Sequence, residues 1–267
     1  AIPISDFTQQ EPVEGGQPSE RTEVWVAYDQ DNLYIGAIIY DDPDGILAFQ
    51  RERDAFLNPD DSFQWILDTF QDGRTGYFFE INPAGLMGDG LMSGSSSGRG
   101  GYSGFGGLGG SSSKAWDGIW EARTAIRPDG WSAEIRIPFR TLNFDPESDT
   151  WGINFQRKIR RRNENAYWAQ LPRQFDLNRL SLAGTLTGLS LSRQRNLKLM
   201  PYTLGNAFRT QVKTTTGQNG VFNSSSATTA DDLNVLTSRD NWGMDIKYSL
   251  TPSLTLDATY NTDFAQV

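Results

Sequence analysis

The sequence predicts an all-β protein, in which a two-sheet antiparallel sandwich is followed by the first strands of a transmembrane β-barrel. Three observations lead to this fold class. Short apolar segments alternate with period two between turns rich in Asp, Asn, Gly and Pro. Aromatic residues make up 12% of the chain, which favours pleated sheet over helical bundles. From residue 191 onward, the strands become longer and carry one apolar and one polar face.

The composition excludes several kinds of site. The 267 residues include no Cys and no His, which removes thiolate nucleophiles, Ser/His/Asp triads and imidazole-based zinc sites. The formal net charge of -9 argues against nucleic acid as a partner. The sequence has no run of 18 or more apolar residues, which excludes a transmembrane helix. Because the sequence opens at Ala1 without an initiator Met, we expect a processed or truncated start.

Two hairpins are predicted in the first third of the chain, after a polar lead-in over residues 1–22. Strands at 23–28 and 33–40 flank a turn of Asp and Asn residues, and we expect the second of them to be buried on both faces. Strands at 63–68 and 77–81 flank the turn at 71–74. The core-facing residues of the second hairpin are expected to be Phe63, Trp65 and Leu67.

The middle of the chain contains a loop, a third hairpin and a basic strand. Residues 88–113 are almost wholly Gly and Ser, so we expect a flexible loop. A hairpin follows at 121–126 and 131–137, and a strand at 151–159 leads into the basic run 157–162. Side chains alternate along a strand, so we expect this run to pair with acids of its own domain or to face the barrel rim. Contact with lipid headgroups is the alternative.

The last third predicts the barrel. One apolar face is expected to comprise Met200, Tyr202, Leu204 and Phe208, then Trp242, Met244, Ile246, Tyr248 and Leu250, then Leu254, Leu256, Ala258 and Tyr260. A long polar loop at 213–241 and a minimal turn at 251–253 match extracellular loops and periplasmic turns. We therefore expect a Gram-negative outer-membrane location with lipid contact, and a periplasmic sandwich at 1–190 followed by the truncated barrel at 191–267. The alternative is an ordinary sheet with one wet face.

An ordered series of short motifs resembles the family 9 carbohydrate-binding module, a DOMON-like domain, over residues 1–190. The motifs are Tyr28-Asp29, Asn32-Leu33-Tyr34-Ile35-Gly36, Asp61-Ser62-Phe63, Leu67-Asp68-Thr69-Phe70, Gly76-Tyr77, Asn82-Pro83, Gly85, Asp89, Gly130-Trp131, Glu134 and Ile137-Pro138-Phe139. Segments 250–257 and 260–267 resemble the barrel of an uncharacterised outer-membrane family that carries this module at its N-terminus. The resemblance implies a jelly-roll-like sandwich, sugar binding and bound calcium. The chain departs from the family pattern in two ways. The first strand of the family would precede Ala1, and the Gly/Ser stretch is an insertion.

Aromatic platforms and polar neighbours are candidates for sugar binding, because a flat ring covers the apolar face of a pyranose. The candidate platforms are Trp25, Trp65 and Trp116, with Asn82 and Asp89 as polar contacts. The alternative is that these tryptophans belong to the core, Trp65 above all. For Asn82, which precedes a proline, the alternative is a turn role.

Two groups of aspartates are candidate ligands for a structural calcium ion, which prefers carboxylate and carbonyl oxygens. The first group is Asp41, Asp42 and Asp44, and the second is Asp60 and Asp61. Neither group has the spacing of an EF-hand loop. The alternative is that they are turn-forming residues that face water.

The predicted function is non-catalytic glycan capture or transport by a periplasmic module of a barrel protein, with a glycan or polysaccharide as partner. One alternative is a structural or assembly role with a membrane-protein partner and a vestigial sugar site. Glycoside hydrolysis by a pair among Glu80, Glu121 and Glu134 has the least support, because the sequence places no two of them at catalytic separation.

Overall fold

A computed structural model describes residues 2–55, 57, 59–93, 111–113, 116–191, 197–203, 206–207, 211–218, 221–228, 233–234, 242–251 and 254–260. The chain divides into two compact units, residues 1–194 (unit 1) and 195–267 (unit 2). The predicted boundary lies between residues 190 and 191. None of the helical segments in the described ranges has the length and apolarity needed to cross a membrane.

Unit 1 consists of two antiparallel sheets. Their strands are β1 (Thr8–Glu11), β2 (Thr22–Tyr28), β3 (Asn32–Tyr40), β4 (Ser62–Asp68), β5 (Thr75–Ile81), β6 (Met87–Ser93), β7 (Ser111–Ser113), β8 (Glu121–Arg127), β9 (Gly130–Pro138), β10 (Thr150–Ile159), β11 (Glu164–Tyr167) and β12 (Gly184–Thr187). The small sheet has the order β2-β3-β9-β8. The large sheet has the order β1-β11-β10-β4-β5-β6-β7, with β12 also paired to β10.

The main core lies between the two sheets. Alternate residues of each strand face this core, because side chains of a strand point to opposite faces in turn. In the large sheet, Trp65 stacks on Phe79 with ring centroids 5.3 Å apart and meets Trp120 edge-on at 5.6 Å. The small sheet contributes residues such as Ile35 and Ile135 to the same cluster. The predicted inward face of Phe63, Trp65 and Leu67 is confirmed by this cluster.

The large sheet is covered on its outer face as well. A second apolar cluster combines strand residues with the segment that follows β11. Its buried members are Ile66, Phe78, Met92, Tyr167, Leu171, Leu177 and Leu180. Strands β4 and β5 are therefore buried on both faces, with the exception of Thr75 at the start of β5.

The small sheet has one buried and one wetter face. Along β3, burial alternates strictly: Leu33 and Ile35 are buried, whereas Tyr34 and Gly36 are half-buried. The prediction that this strand is buried on both faces is therefore wrong. The physical reason is that the apolar clusters formed by the described residues cover its inner face and leave its outer face uncovered.

Three segments predicted to lack regular structure contain strands, and one of them is the predicted polar loop at 213–241, where residues 221–228 form a strand. Strand β1 lies in the predicted lead-in and pairs with β11. Strand β6 lies at the start of the predicted Gly/Ser loop and pairs with β5 over its whole length. Glycine and serine are poor strand formers alone, but a neighbouring strand supplies backbone partners that local composition does not reveal. Residues 94–110 of the predicted loop lie outside the described residues.

In its described residues, unit 2 contains a three-stranded antiparallel sheet and two separate pairs of antiparallel strands. The strands are β13 (Leu197–Thr203), β14 (Asn206–Ala207), β15 (Gln211–Gln218), β16 (Val221–Thr228), β17 (Leu233–Asn234), β18 (Trp242–Thr251) and β19 (Leu254–Tyr260). The order of the three-stranded sheet is β13-β18-β19, and β15 pairs with β16 and β14 with β17. The predicted hairpin of β18 and β19 is confirmed by this pairing.

The register of unit 2 corrects one predicted face. Leu199 pairs with Ile246, which in turn pairs with Ala258, so these three residues share a face. Met200 pairs with Asp245 and therefore lies on the opposite, polar face. The error arises because β13 carries apolar residues at adjacent positions, so alternation alone does not fix its phase. Leu204 and Phe208 lie outside the described residues.

Candidate functional site

The three predicted sugar platforms have different environments. Trp65 is fully buried in the main core. Trp116 is half-buried, and its ring packs against Tyr77 at 4.9 Å and Phe79 at 5.9 Å between centroids. Trp25 alternates with inward-facing residues of β2, so it lies on the outer face of the small sheet, where it is half-buried. Of the three predicted platforms, Trp25 is the one on a solvent-facing sheet surface.

Asn82 is a turn residue and does not contact solvent. Its side chain is fully buried. The amide Nδ2 donates to the Gln50 carbonyl and to Asp60 Oδ2, both at 2.8 Å, while Oδ1 accepts from the Leu86 amide at 2.8 Å. These hydrogen bonds link the loop that follows β5 to the segment that precedes β4. A sugar-binding role for Asn82 is therefore wrong, and the alternative turn role is confirmed.

Asp89 is also committed to internal contacts. Its side chain is 1% exposed, Oδ1 accepts from Arg53 at 3.1 Å and Oδ2 accepts from the Gly118 amide at 2.6 Å. Burial raises the pKa of Asp89, and the hydrogen bond from Gly118 and the charge of Arg53 oppose that rise. These contacts anchor the segment that carries Trp116. Asp89 therefore has a structural role, and both of its carboxylate oxygens already accept hydrogen bonds within the protein.

Asp41 belongs to an ion-pair network with the basic run. Its buried carboxylate accepts from Arg157 at 2.8 Å and is also paired with Arg161. Arg162 pairs with Glu20 at 2.9 Å. The prediction that the basic run pairs with acids of its own domain is confirmed by these contacts. Both oxygens of Asp41 are therefore paired with guanidinium groups.

The aspartates of the second group accept hydrogen bonds mainly from backbone amides. Asp61 accepts from the amides of Arg160 at 2.6 Å and Leu47 at 2.9 Å, and burial raises its pKa. Asp60 Oδ2 accepts from the Gln50 amide at 2.9 Å, whereas its Oδ1 is buried without a hydrogen-bond partner.

The remaining members of the first group face solvent. Asp42 and Asp44 are exposed, and Asp42 caps the short helical turn at Pro43–Gly45 through the Asp44 amide. Across the described part of the chain, no three acidic side chains are grouped in a way that could hold a metal ion. The predicted aspartates are therefore distributed among separate structural roles.

The outer face of the small sheet carries an open slot around Gly36. Across the sheet, Gly36 pairs with Trp25 on one side and Glu134 on the other, and Glu134 pairs with Arg123. A Cβ atom added to Gly36 would have no heavy atom within 4 Å. An aromatic side chain beside a strand glycine often fills the space above it. Here that space stays empty although Trp25 is the direct cross-strand neighbour.

The charged residues beside the slot are uncommitted. Glu134 and Arg123 are both exposed and directly opposed across two strands. No ion pair or hydrogen bond joins either side chain to another residue in the described ranges. An exposed carboxylate and an exposed guanidinium near an aromatic ring can accept from and donate to the hydroxyl groups of a ligand. The row Trp25, Gly36, Glu134 and Arg123 is hereafter the slot row.

A hydrogen-bonded cluster fixes the sheet surface next to the slot row. The Tyr34 hydroxyl donates to Asp29 Oδ2 at 2.8 Å, and Asn32 Nδ2 donates to the Tyr34 hydroxyl at 3.3 Å. The Asp31 and Asn32 amides donate to Asp29 Oδ1 at 2.8 and 2.7 Å. These amide hydrogen bonds, that of Asp31 first, lower the pKa of Asp29. The hydrogen bond with Asp29 raises the pKa of Tyr34.

A polar cleft of about 340 Å³ opens at the end of the same sheet face. Asn32, Glu121, Arg136 and Pro138 line it from the outer sides of β3, β8 and β9. Its remaining lining residues are Asp31, Ile119, Trp120 and Arg140. Arg136 is paired with Glu121 at 2.5 Å.

Sequence reasoning did not name Gly36, Arg123 and Arg140 as site residues, and it considered Glu134 only for hydrolysis. One signal was present, because an isolated glycine in a strand often marks a close approach by a ligand or another backbone. The three carboxylates considered for hydrolysis do not all lie on one face. Glu121 and Glu134 lie on the outer face of the small sheet, whereas Glu80 lies on the outer face of the large sheet.

Comparisons with known proteins give likeness in structure. No protein-family profile and no curated protein sequence matches the chain. A family 9 carbohydrate-binding module from Caldicellulosiruptor kristjanssonii, in complex with glucose, is 16% identical, with a TM-score of 0.44 over 71% of this chain and 85% of that chain. The same module in complex with cellotriose gives the same identity and TM-score over 71% and 84%.

A further similar structure is a proposed carbohydrate-binding protein from Bacteroides uniformis. It is 12% identical, with a TM-score of 0.51 over 70% of this chain and 87% of that chain. At this identity the likeness concerns the fold. The chain therefore shares an all-β sandwich fold with the Bacteroides protein, and its function has to be inferred from the residues of its own site.

Proposed function

We propose that unit 1 is a non-catalytic module that binds a neutral glycan on the outer face of its small sheet. The observation that carries the proposal is the empty space above Gly36, which lies between an aromatic ring and an uncommitted carboxylate. The fold likeness to a proposed carbohydrate-binding protein supports the same ligand class.

The chemistry of the slot row suits a pyranose. The Trp25 ring offers a flat apolar surface for the C–H face of a sugar, while Glu134 can accept from ring hydroxyls and Arg123 can donate to them. A net charge of -9 disfavours a polyanionic ligand at long range. Because Gly36 has no side chain, the sugar can approach the sheet backbone closely. A neutral glycan therefore fits the site better than a charged polymer does.

Replacing Gly36 by threonine is expected to abolish binding without harming the fold. Threonine favours strands, and the space above Gly36 is empty, so stability should stay the same or rise by up to about 1 kcal/mol. The new side chain fills the slot, so affinity should fall at least about tenfold, equivalent to about 1.4 kcal/mol. Calorimetric titration of the full chain with cellohexaose, xylohexaose and mannohexaose, after a glycan-array screen, measures the effect.

The control is Ala125→Thr, which places the same side chain on the same exposed face of β8, outside the slot row. It should retain full affinity. Trp25→Ala should weaken binding about as much as Gly36→Thr does. No binding by the wild-type chain to plant and bacterial polysaccharides would contradict the proposal and would favour a structural role with a vestigial site. Equal binding by the wild type and Gly36→Thr would place the ligand elsewhere.

For unit 2 we propose the beginning of an outer-membrane β-barrel, which would make unit 1 periplasmic. The support comes from one face of the three-stranded sheet. Leu199, Trp242, Leu256 and Tyr260 all lie on this face, and each is more than half exposed. A large apolar surface with aromatic residues is what a lipid-facing barrel wall requires. The opposite face carries polar residues such as Asp245 and Thr259.

Leu199→Arg is expected to destabilise the membrane-inserted protein, by about 2–4 kcal/mol if the residue lies near the bilayer midplane. Thr259→Arg, on the opposite face, is the matched control and should have little effect. The measurement is the fraction of the protein that resists urea extraction from isolated outer membranes. A wild-type chain that is fully extracted by urea would contradict the membrane proposal. Equal effects of the two arginines would contradict the assigned lipid-facing side.

Calcium binding stays a prediction for this protein. Asp60 is the predicted ligand that retains a free buried carboxylate oxygen, whereas Asp41 and Asp61 have both oxygens occupied. Asp60 is therefore the buried candidate ligand, beside the exposed Asp42 and Asp44. Heat released on adding calcium to chelator-treated protein would support this prediction, and its absence in Asp60→Asn would locate the ion.

A further inference from the structure

We propose that the cleft at the end of the small sheet is a second hydroxyl-binding subsite, so that this face selects a neutral oligosaccharide over a monosaccharide. This inference rests on the proposed glycan-binding function and extends it to ligand length. The observation behind it is the position of the cleft. Its lining residue Asn32 lies on the same strand as Gly36, four residues away, which corresponds to about 13 Å along the sheet.

The cleft and the slot row form one continuous surface. Arg136 lines the cleft and lies two residues along β9 from Glu134 of the slot row, so both side chains point to the outer face. At the opposite end of the face, side chains contact one another: the Tyr40 hydroxyl donates to Glu23 at 3.0 Å, and Arg21 lies over the Tyr40 ring at 4.3 Å. A glycan bound at the slot row can therefore continue along the face toward the cleft.

The cleft leaves donors and an acceptor without partners. Within the described ranges, the exposed Arg140 guanidinium and the exposed Asp31 carboxylate make no side-chain hydrogen bond or ion pair. Trp120 also lines the cleft, and its ring is buried in the main core. A sugar hydroxyl both donates and accepts, so it can satisfy Asp31 and Arg140 together. Two cations and two anions line the cleft, and this balance favours a neutral ligand over a uronic acid.

The test compares ligand lengths on the full chain. Glucose, cellotriose and cellohexaose are titrated by calorimetry, together with the xylose and mannose series of the same lengths and a galacturonic acid hexamer. For the wild type we expect affinity to rise at least about tenfold from the monosaccharide to the hexamer of the best series. Arg140→Gln should remove most of that gain. Asp31→Asn is the second variant and should have the same effect.

The control is Arg74→Gln, which changes an exposed arginine in the turn between two strands of the large sheet and should keep the length dependence. Thermal unfolding confirms that each variant is folded. A wild-type affinity independent of length overturns this inference while leaving glycan binding intact. Tighter binding of the galacturonic acid hexamer overturns the neutral ligand class. No binding of any series by the wild type overturns the proposed function itself.

Discussion

Asp41→Ala is expected to lower the free energy of unfolding of unit 1 by about 3–5 kcal/mol, because it leaves a buried guanidinium without its counter-ion. The side chains of Asp41 and Arg157 are 1% and 3% exposed and 2.8 Å apart. Arg157 also donates to the carbonyl oxygens of Tyr40 at 2.6 Å and Arg21 at 3.1 Å. Burial lowers the pKa of Arg157, and the charge of Asp41 opposes that shift. Urea unfolding followed by tryptophan fluorescence measures the loss.

Two further variants separate the cost of an unpaired charge from the value of the pair. Asp44→Ala removes an exposed aspartate from the same turn and should change stability by less than about 0.5 kcal/mol. The double variant Asp41→Leu with Arg157→Met removes both charges and should recover part of the loss. An Asp41→Ala protein as stable as Asp44→Ala would mean that Arg157 finds another partner. A double variant that is no more stable than Asp41→Ala would assign the cost to lost hydrogen bonds.

Gly130→Ala is expected to destabilise unit 1 by about 3 kcal/mol or more, since it combines two costs. Gly130 has a φ of +138°, a conformation that side chains rarely adopt. A Cβ atom there would overlap the Ile39 carbonyl oxygen and would lie 2.7 Å from the Asp41 amide nitrogen and 2.9 Å from Tyr40 Cα. These are backbone atoms of a central strand, so they cannot move aside cheaply. Thermal unfolding of the full chain measures the effect.

Two other glycines supply matched controls. Gly188 has a φ of +80° and open space around it, so Gly188→Ala should cost about 1 kcal/mol through backbone strain alone. Gly36→Ala has neither problem and should be neutral or slightly stabilising. The expected order of stability is therefore Gly36→Ala, Gly188→Ala and Gly130→Ala. A Gly130→Ala protein as stable as Gly188→Ala would show that the approach of the turn to β3 is looser than the geometry indicates.

Local sequence determined much of the strand pattern. Period-two alternation predicted the pairing partners of the hairpins β2–β3, β4–β5, β8–β9 and β18–β19, because each partner follows a short turn in the chain. It also predicted that Phe63, Trp65 and Leu67 face inward. The acidic composition predicted that the basic run pairs with acids of its own domain, without identifying the partners.

The tertiary structure decided what lies over each face. The outer side of the large sheet is covered by a segment about a hundred residues away, which is why β4 is buried on both faces while β3 is not. Asp41 and Arg157 are 116 residues apart, so an aspartate in a turn gave no sign that it would neutralise a buried arginine. The composition around Asp89 predicts a loop, because the segment is rich in Gly and Ser. Asp89 nevertheless lies in strand β6, because β5 supplies its backbone pairing.

The same distinction between local sequence and tertiary structure applies to the candidate site. The sequence by itself determined that Trp25 lies on the strand face opposite Val24 and Val26, because side chains alternate along one strand. Only the tertiary structure decided that Trp25, Gly36 and Glu134, which come from three different strands, lie in one row with a cleft at its end. The physical reason is that cross-strand register depends on pairing between distant segments, and no local pattern of side chains encodes the space left beside a glycine.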